Sequence, residues 1–208
     1  MADHVVLYTN PMSRGRTARW MLEEIGAPYR AEIVNYGPDM KGPAYTAINP
    51  MGKVPAITHR GVVVTEVAAI LSYLADAFPA AGFAPGTDDP QRGSYYRWLF
   101  FCAGPLEYAV VGKAMGFTVT PEQKGRIGYG SLEDVLDAVE KAVSGVKFLA
   151  GSRFTAADLY MTANLGWGMM MGNIEKRPAF EAYVGHHFMR PAAVKARALD
   201  DALLPKQG

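Results

Sequence analysis

The feature that most constrains the fold is a change of hydrophobic spacing within the first 33 residues. Residues 4–9 (HVVLYT) are rich in β-branched and aromatic side chains and are followed by Asn-Pro, which predicts a buried strand. From Arg16 the apolar residues recur at helical spacing, and Gly26 is placed to end that helix. Residues 29–33 alternate again and predict a second strand. A strand, a helix and a strand in this order predict a parallel pair with a right-handed crossover.

The next segment predicts a hairpin and a helix. Two apolar runs, VPAIT and VVVT, are separated by His-Arg-Gly, which suits an antiparallel hairpin with Gly61 at positive φ. Apolar residues then recur at helical spacing from about Glu66, so a helix should pack on the sheet. With a Gly/Pro-rich loop at 37–43 and a short helical patch at 45–48, the predicted order is βαβαββα.

A segment without periodicity marks a domain boundary. Residues 78–90 (FPAAGFAPGTDDP) are rich in proline and glycine, a composition typical of a linker. We therefore expect an α/β domain at 1–80, a linker at 81–90 and a second domain at 91–208.

The second domain should be all helical. The segment YYRWLFFCAG is apolar nearly all round, which favours a buried central helix interrupted at Pro105. Thr120 supplies an N-cap, with proline directly after it, for the next helix. Thr155 and Asp158 have the spacing of an N-terminal capping box. The last two helices, near 178–188 and 191–199, begin with proline.

Composition disfavours several classes of function. The 208 residues include 21 basic and 20 acidic side chains, so net charge gives no attraction to nucleic acid or an anionic membrane. No window approaches the roughly 20 apolar residues of a membrane helix, and the N-terminus lacks a signal-peptide pattern. We expect a soluble, cytoplasmic protein. The single cysteine, Cys102, excludes an internal disulfide, a CxxC pair and a thiolate zinc cluster, and we expect no metal.

Two short motifs could bind a small ligand. The segment TNPMSRG places Ser13 and Arg14 at a helix N-terminus, which favours an anion such as a thiolate. The alternative is that Ser13 is merely an N-cap and Arg14 a solvated charge. In NPMGKVPAI, Pro55 donates no backbone hydrogen bond. A cis bond before Pro55 would leave the Val54 N–H and C=O free to pair with an extended peptide. A trans proline on an edge strand is the alternative.

The third motif, VVVTEVAAI, lies where a strand ends and a helix starts. Thr65 could cap the helix, and Glu66 could simply interact with the helix dipole. Alternatively, the Glu66 carboxylate receives a ligand ammonium while the Val67 N–H binds a ligand carboxylate. All three motifs are predicted at the same end of neighbouring elements, where open sheets form binding crevices.

These motifs resemble the glutathione transferase superfamily, as do the βαβαββα order and FTAADLYM in the helical half. The resemblance implies a thioredoxin-like N-terminal domain, an all-α C-terminal domain and, usually, a homodimer. It implies that Val54, before a cis-proline, pairs through its backbone with the cysteinyl unit of glutathione. It also implies that Glu66 and Val67 hold the γ-glutamyl end. Many members carry Ser or Thr at the Val67 position, so this chain lacks one side-chain hydrogen bond there.

The resemblance leaves the activating residue open. Family members use a Tyr, Ser or Cys in or after the first strand, and the candidates are Ser13, then Tyr8, with Arg14 close to where some bacterial members carry Cys or Asn. We prefer Ser13, as in a serine-type bacterial enzyme, because a hydroxyl at a helix N-terminus can reach the sulfur. Lys53 can reach the glycyl carboxylate of glutathione, unless it is merely solvated.

The implied function is detoxification by a transferase. Glutathione, the co-substrate, is ionised and attacks an electrophilic, largely apolar second substrate. Glutathione-dependent reduction of disulfides or peroxides, and a non-catalytic binding module with this fold, are the alternatives.

A few residues lie outside these motifs. The methionines at 169–171 with Trp167 either line a second-substrate pocket or pack in the core. His186 and His187 lack partners at metal spacing and are predicted on a surface helix. Cys102 is predicted to be inert packing.

Overall fold

The structure is a computed structural model that describes residues 4–204. The chain divides into two compact units. One comprises the residues up to Gly82 together with those from Met189, and the other is Phe83–Phe188. The strands are β1 (Val5–Thr9), β2 (Tyr29–Ile33), β3 (Ala56–His59) and β4 (Val62–Thr65). The helices are α1 (Gly15–Ile25), α2 (Pro38–Lys41), α3 (Pro43–Thr46), α4 (Val67–Ala77), α5 (Gln91–Phe101), α6 (Glu107–Ala114), α7 (Leu132–Val143), α8 (Ala156–Met170), α9 (Pro178–Phe188) and α10 (Pro191–Asp201).

The four strands of the described chain form one sheet in the order β2-β1-β3-β4. The β1–β2 pair is parallel, as predicted for the strand, helix, strand unit. β3 pairs antiparallel with both β1 and β4. The two-residue turn between β3 and β4 has positive φ at Arg60 (51°) and Gly61 (77°), which a tight hairpin turn of this hand requires.

The helix boundaries in the first unit test three predictions, of which one is confirmed and two are wrong. α1 ends at Gly26, whose φ of 66° is left-handed, as predicted. The loop predicted at 37–43 instead contains α2, because a proline at the first position of α2 favours a helical turn there. The N-cap of α4 is Glu66 and not Thr65, and no side chain caps this helix.

The last helix, α10, is grouped with the first unit, whereas the sequence prediction assigns it to the helical domain. Its charges explain the grouping, because four ion pairs join it and the residue before it to α1. Arg19 and Asp200, both buried, are 2.9 Å apart, and Arg190 forms a bidentate pair with Glu24 at 2.6 and 2.8 Å. The two remaining pairs are Lys195–Glu23 and Arg16–Asp201.

The second unit is helical. A π-helical segment, Cys102–Leu106, interrupts the run from α5 to α6 and contains Pro105, as predicted. Phe100 is 67% exposed, so this helix is buried on one side only. The predicted helix start at Thr120 is wrong. α7 begins at Leu132, with the Ser131 hydroxyl accepting its cap bond, because the apolar stripe that can pack begins only there.

The capping box at α8 is confirmed. The Asp158 carboxylate is fully buried and accepts from the Thr155 N–H at 2.8 Å and from the Leu149 N–H and Tyr183 hydroxyl at 2.7 Å each. Burial raises the pKa of the Asp158 carboxyl, and these donors oppose that rise. Among the described helices, none has the length and apolar character to cross a membrane.

Candidate functional site

Strand register brings the three sequence motifs to one end of the sheet. Tyr8 lies opposite Ala56, and Ala56 lies opposite Thr65, so these residues form one row across three strands. The segment after β1, the segment before β3 and the segment after β4 therefore all lie at the same end of the sheet. These segments are the three motifs whose convergence the sequence predicted.

Val54 offers an unpaired backbone N–H and C=O at this end of the sheet. The Val54–Pro55 bond is cis, and Val54 is half-buried. Within residues 4–204, no group of the chain hydrogen-bonds to the Val54 N–H or C=O. By contrast, the carbonyl of Lys53 accepts from the Tyr45 hydroxyl at 2.7 Å and from Asn49 Nδ2 at 2.8 Å. The unpaired groups of Val54 can therefore pair with an extended peptide.

The hydroxyl of Ser13 is engaged within its own loop. It donates to the Asn10 carbonyl at 2.7 Å and accepts from the Gly15 N–H at 2.9 Å. Ser13 precedes Arg14, the N-cap residue of α1, which carries no side-chain cap bond. In this geometry the Ser13 hydroxyl holds the loop, and it can donate to a ligand only after releasing Asn10.

Gly15 is required where α1 meets the end of β1. A Cβ at this position would lie 1.9 Å from Thr9 Oγ1, which is far inside van der Waals contact. Thr9 is fully buried. Only glycine lets the first turn of α1 approach the strand this closely.

Tyr8 and Val54 pack against the same small buried cluster, which contains Met40 and Tyr45. The centre of the Tyr8 ring lies 5.9 Å from the centre of the Tyr45 ring, which belongs to this cluster. No group among the described residues hydrogen-bonds to the Tyr8 hydroxyl. Burial raises the pKa of Tyr45 to about 12, so this second tyrosine stays protonated at neutral pH.

Glu66 has a strained backbone at the start of α4. Its φ of 65° and ψ of 124° lie in a region that residues with a side chain rarely adopt. The carboxylate is exposed, and no cation of the described chain pairs with it. The Val67 and Ala68 N–H groups, in the first turn, also have no acceptor in the described chain. The exposed ammonium of Lys53 likewise has no carboxylate partner there.

The candidates in the second unit have separate outcomes. Cys102 is fully buried, and burial raises the pKa of its thiol, as expected for inert packing. His187 is only 1% exposed, with Nε2 2.9 Å from the Lys147 carbonyl oxygen, so its predicted surface position is wrong. The aromatic rings of α9 and of the segment before α8 enclose it. Within the described residues, no group of His, Cys, Asp and Glu could hold a metal.

Two of the three methionines near the end of α8 are exposed. Met170 and Met171 are 67% and 55% exposed, and Trp167 is partly exposed. Core packing, one of the two roles predicted for these methionines, is therefore wrong for Met170 and Met171, and lining of a second-substrate pocket stays a prediction.

Sequence reasoning missed Asn49 and Tyr45, which hold the Lys53 carbonyl. A signal was present, because Asn-Pro-Met occurs twice, at Asn10 and at Asn49. In both copies the asparagine is buried and its Oδ1 accepts from the N–H of the methionine, at 3.0 and 3.1 Å. Both copies border the candidate site.

Comparisons with known proteins agree with this geometry. Two family descriptions match: glutathione S-transferase N-terminal domain over residues 12–77 and glutathione S-transferase C-terminal domain over residues 98–191. Glutathione S-transferase GstA of Escherichia coli O157:H7 is 31% identical over 157 residues, which are 72% of this chain and 75% of that protein. Disulfide-bond oxidoreductase YghU of Escherichia coli K12 is 29% identical over 167 residues, or 74% of this chain and 57% of that protein.

A solved structure agrees across almost the whole chain. The sphingomonad glutathione S-transferase complexed with glutathione is 31% identical, with a TM-score of 0.77, and covers 94% of this chain and 98% of its own. This chain belongs to the glutathione S-transferase family. The predicted thioredoxin-like and helical fold is confirmed.

Proposed function

We propose that the chain is a glutathione transferase that activates glutathione as a thiolate for attack on an electrophilic, largely apolar second substrate. The observation that carries this proposal is the unpaired N–H and C=O of Val54, which lie at the end of the sheet where α1 and α4 begin. Helix N-termini favour the carboxylate and thiolate groups of such a ligand. The similarity to named glutathione S-transferases, one of them solved with glutathione, supports it.

Glutathione would bind in an extended form along this edge. The Val54 N–H and C=O would pair with the backbone of its cysteinyl unit. The Glu66 carboxylate would accept from the γ-glutamyl ammonium, and the Val67 N–H would donate to the adjacent carboxylate. Each charge-assisted bond of this kind contributes about 1.5–3 kcal/mol. The exposed Lys53 ammonium would pair with the glycyl carboxylate.

Binding at this edge would bring the cysteinyl sulfur towards the loop before α1. Ser13 is our first candidate for donating to the thiolate, because it lies at that helix N-terminus. Its hydroxyl must first give up the Asn10 carbonyl. Tyr8 is the alternative, since its hydroxyl has no partner in the described chain to give up, and Arg14 is the third candidate. Lowering the pKa of the bound thiol would raise the thiolate fraction at neutral pH.

The test is titration of thiolate absorbance in the glutathione complex. The wild-type complex should form thiolate at lower pH than free glutathione. Ser13→Ala should return the titration towards that of the free thiol, with Tyr8→Phe as the parallel variant. If only Tyr8→Phe moves the titration, Tyr8 and not Ser13 is the activating residue. If bound and free glutathione titrate together in the wild type, thiol activation is wrong.

A second activity is supported by the similarity to a disulfide-bond oxidoreductase. In glutathione-dependent disulfide reduction, two glutathione thiols are oxidised to one disulfide while one substrate disulfide is reduced to two thiols. Turnover of a disulfide substrate without turnover of aryl or alkyl halides would favour it. Absence of glutathione binding at millimolar concentration in calorimetry would instead leave a non-catalytic module.

The oligomeric state and the location of the chain are also proposed. We expect a cytoplasmic homodimer, by analogy with the family. Light scattering coupled to size exclusion tests the dimer, and fractionation of cells tests the location.

A further inference from the structure

The loop before Val54 has its carbonyl groups held from inside the protein. The Lys53 carbonyl accepts two hydrogen bonds, from the Tyr45 hydroxyl at 2.7 Å and from Asn49 Nδ2 at 2.8 Å. Both donors belong to buried residues, at 5% and 3% exposure. We call Tyr45 and Asn49 the carbonyl clamp.

The carbonyls of the two residues before Lys53 are also held, in this case by the side chain of the exposed Lys41. Lys41 Nζ donates to the Met51 carbonyl at 2.9 Å and to the Gly52 carbonyl at 2.8 Å. The Met51 N–H in turn donates to Asn49 Oδ1 at 3.1 Å. Three successive carbonyls, those of Met51, Gly52 and Lys53, are therefore fixed, and the carbonyl of the next residue, Val54, has no partner in the described chain.

The geometry of the peptide bond links the clamp to the ligand. The Lys53 C=O and the Val54 N–H belong to one peptide unit, which is planar and trans. In a trans unit these two groups point in opposite directions. Two donors that hold the C=O towards the interior therefore direct the N–H away from it. We propose that Tyr45 and Asn49 are positioning residues that aim the Val54 N–H at the cysteinyl carbonyl of glutathione.

This inference rests on the proposed function, and the chemistry of the clamp supports it. The carbonyl has two lone pairs, and each clamp residue supplies one donor. Because burial raises the pKa of Tyr45 to about 12, its hydroxyl remains a donor throughout the pH range of an assay. With one donor removed, the other still holds the carbonyl loosely, so the two residues should be coupled.

The variants are Tyr45→Phe, Asn49→Asp and the double variant. Asn49→Asp keeps the acceptor for the Met51 N–H but loses the Nδ2 donor. Tyr73→Phe is the matched control. Its hydroxyl lies 3.0 Å from His59 Nδ1 in the same unit, so it loses a tyrosine hydroxyl bond of similar length without touching the loop.

The readouts are the dissociation constant of glutathione by calorimetry and steady-state kinetics. Loss of one neutral hydrogen bond that orients the peptide should weaken glutathione binding about fivefold in Tyr45→Phe. The KM for glutathione should rise by the same factor, while kcat at saturating glutathione and the KM of the electrophile stay at wild-type values. S-methylglutathione should lose affinity equally, because the clamp acts on the backbone and not on the sulfur. The double variant should lose more than the product of the single losses.

The outcomes separate the inference from the proposed function. If wild type does not bind glutathione at millimolar concentration, the proposed function is wrong. If wild type binds but Tyr45→Phe equals Tyr73→Phe in affinity and KM, the positioning role is wrong while the function stands. If Tyr45→Phe does not fold, Asn49→Asp should show the same loss of glutathione affinity. Affinity and KM equal to those of Tyr73→Phe would then refute the positioning role.

Discussion

At Glu66, we expect one substitution to raise stability and reduce binding together. With φ at 65° and ψ at 124°, this residue holds a backbone conformation that costs about 1–3 kcal/mol for a residue with a side chain. Glu66→Gly relieves that strain but adds about 0.5–1 kcal/mol of backbone entropy to the unfolded chain. The net expectation is a gain of about 1 kcal/mol, or a Tm about 2–4 °C higher for a chain of this size.

The same substitution should weaken glutathione binding. The carboxylate is proposed to accept from the γ-glutamyl ammonium, a bond that contributes about 1.5–3 kcal/mol. Its loss corresponds to roughly 10- to 100-fold weaker binding. Glu66→Gln is the matched control, because it keeps a Cβ and the strained backbone while removing the charge. It should lose affinity without gaining stability.

Thermal unfolding of wild type, Glu66→Gly and Glu66→Gln tests the expected change in stability, and calorimetry of the same three proteins tests the expected change in glutathione binding. If Glu66→Gly and Glu66→Gln have the same Tm, the strain attributed to Glu66 is wrong. If both variants bind glutathione as tightly as wild type, the carboxylate does not hold the ammonium. The two measurements are independent, so the backbone strain can be refuted while the role of the carboxylate stands, and the reverse.

Two packing predictions follow from contacts in the first unit. Gly15→Ala should destabilise by about 1–3 kcal/mol in denaturant unfolding, because the new Cβ would lie 1.9 Å from Thr9 Oγ1. Adding Thr9→Ala should recover part of that loss, because it removes Oγ1 but leaves the Thr9 Cβ at 2.9 Å and the Ser13 Oγ at 3.0 Å, and no recovery would mean that these two contacts are responsible. Asp200→Ala should cost about 3–5 kcal/mol, because it leaves the buried Arg19 guanidinium unpaired, whereas Asp201→Ala, which breaks an exposed pair, should cost less than about 1 kcal/mol. Equal costs for the two aspartates would show that burial does not decide the strength of these pairs.

The sequence predicts the sheet well because side-chain period and turn chemistry act locally. Both the parallel pair and the hairpin, including positive φ at Gly61, follow from spacing within a few residues. The prediction fails where a distant contact decides. α10 belongs with the first unit through buried charges such as Asp200, and its polar sequence gives no hint of a partner 181 residues away.

The helix starts fail for a related reason. Thr120 followed by proline is a good cap by local rules, but no apolar stripe follows it until Leu132, so no helix can bury a face there. Thr65 is likewise a good cap by residue type, yet the chain turns at Glu66 instead. In both cases the backbone path, which local propensity does not specify, decides where the helix begins.

The candidate site divides into residues that the sequence identifies and residues that it hides. Val54 and Glu66 could be proposed from the sequence because a proline beside an apolar run marks the first and a strand-to-helix junction marks the second. Asn49 and Tyr45 were missed because a buried asparagine and a buried tyrosine resemble ordinary loop and core residues. Their proposed role depends on a side-chain donor that reaches the Lys53 carbonyl, and neither composition nor spacing predicts such a contact.

The proposed recognition through the backbone would also explain how the chain can tolerate Val67. A hydroxyl side chain at that position would add one hydrogen bond, but the peptide N–H is present in every residue except proline. If the main binding groups are the Val54 peptide and the first N–H groups of α4, the site depends on how the backbone is held. Buried donors such as Asn49 then contribute to glutathione affinity without touching the ligand. Because an exposed ion pair contributes at most about 1 kcal/mol, the double clamp variant should lose more affinity than removal of the Lys53 ammonium.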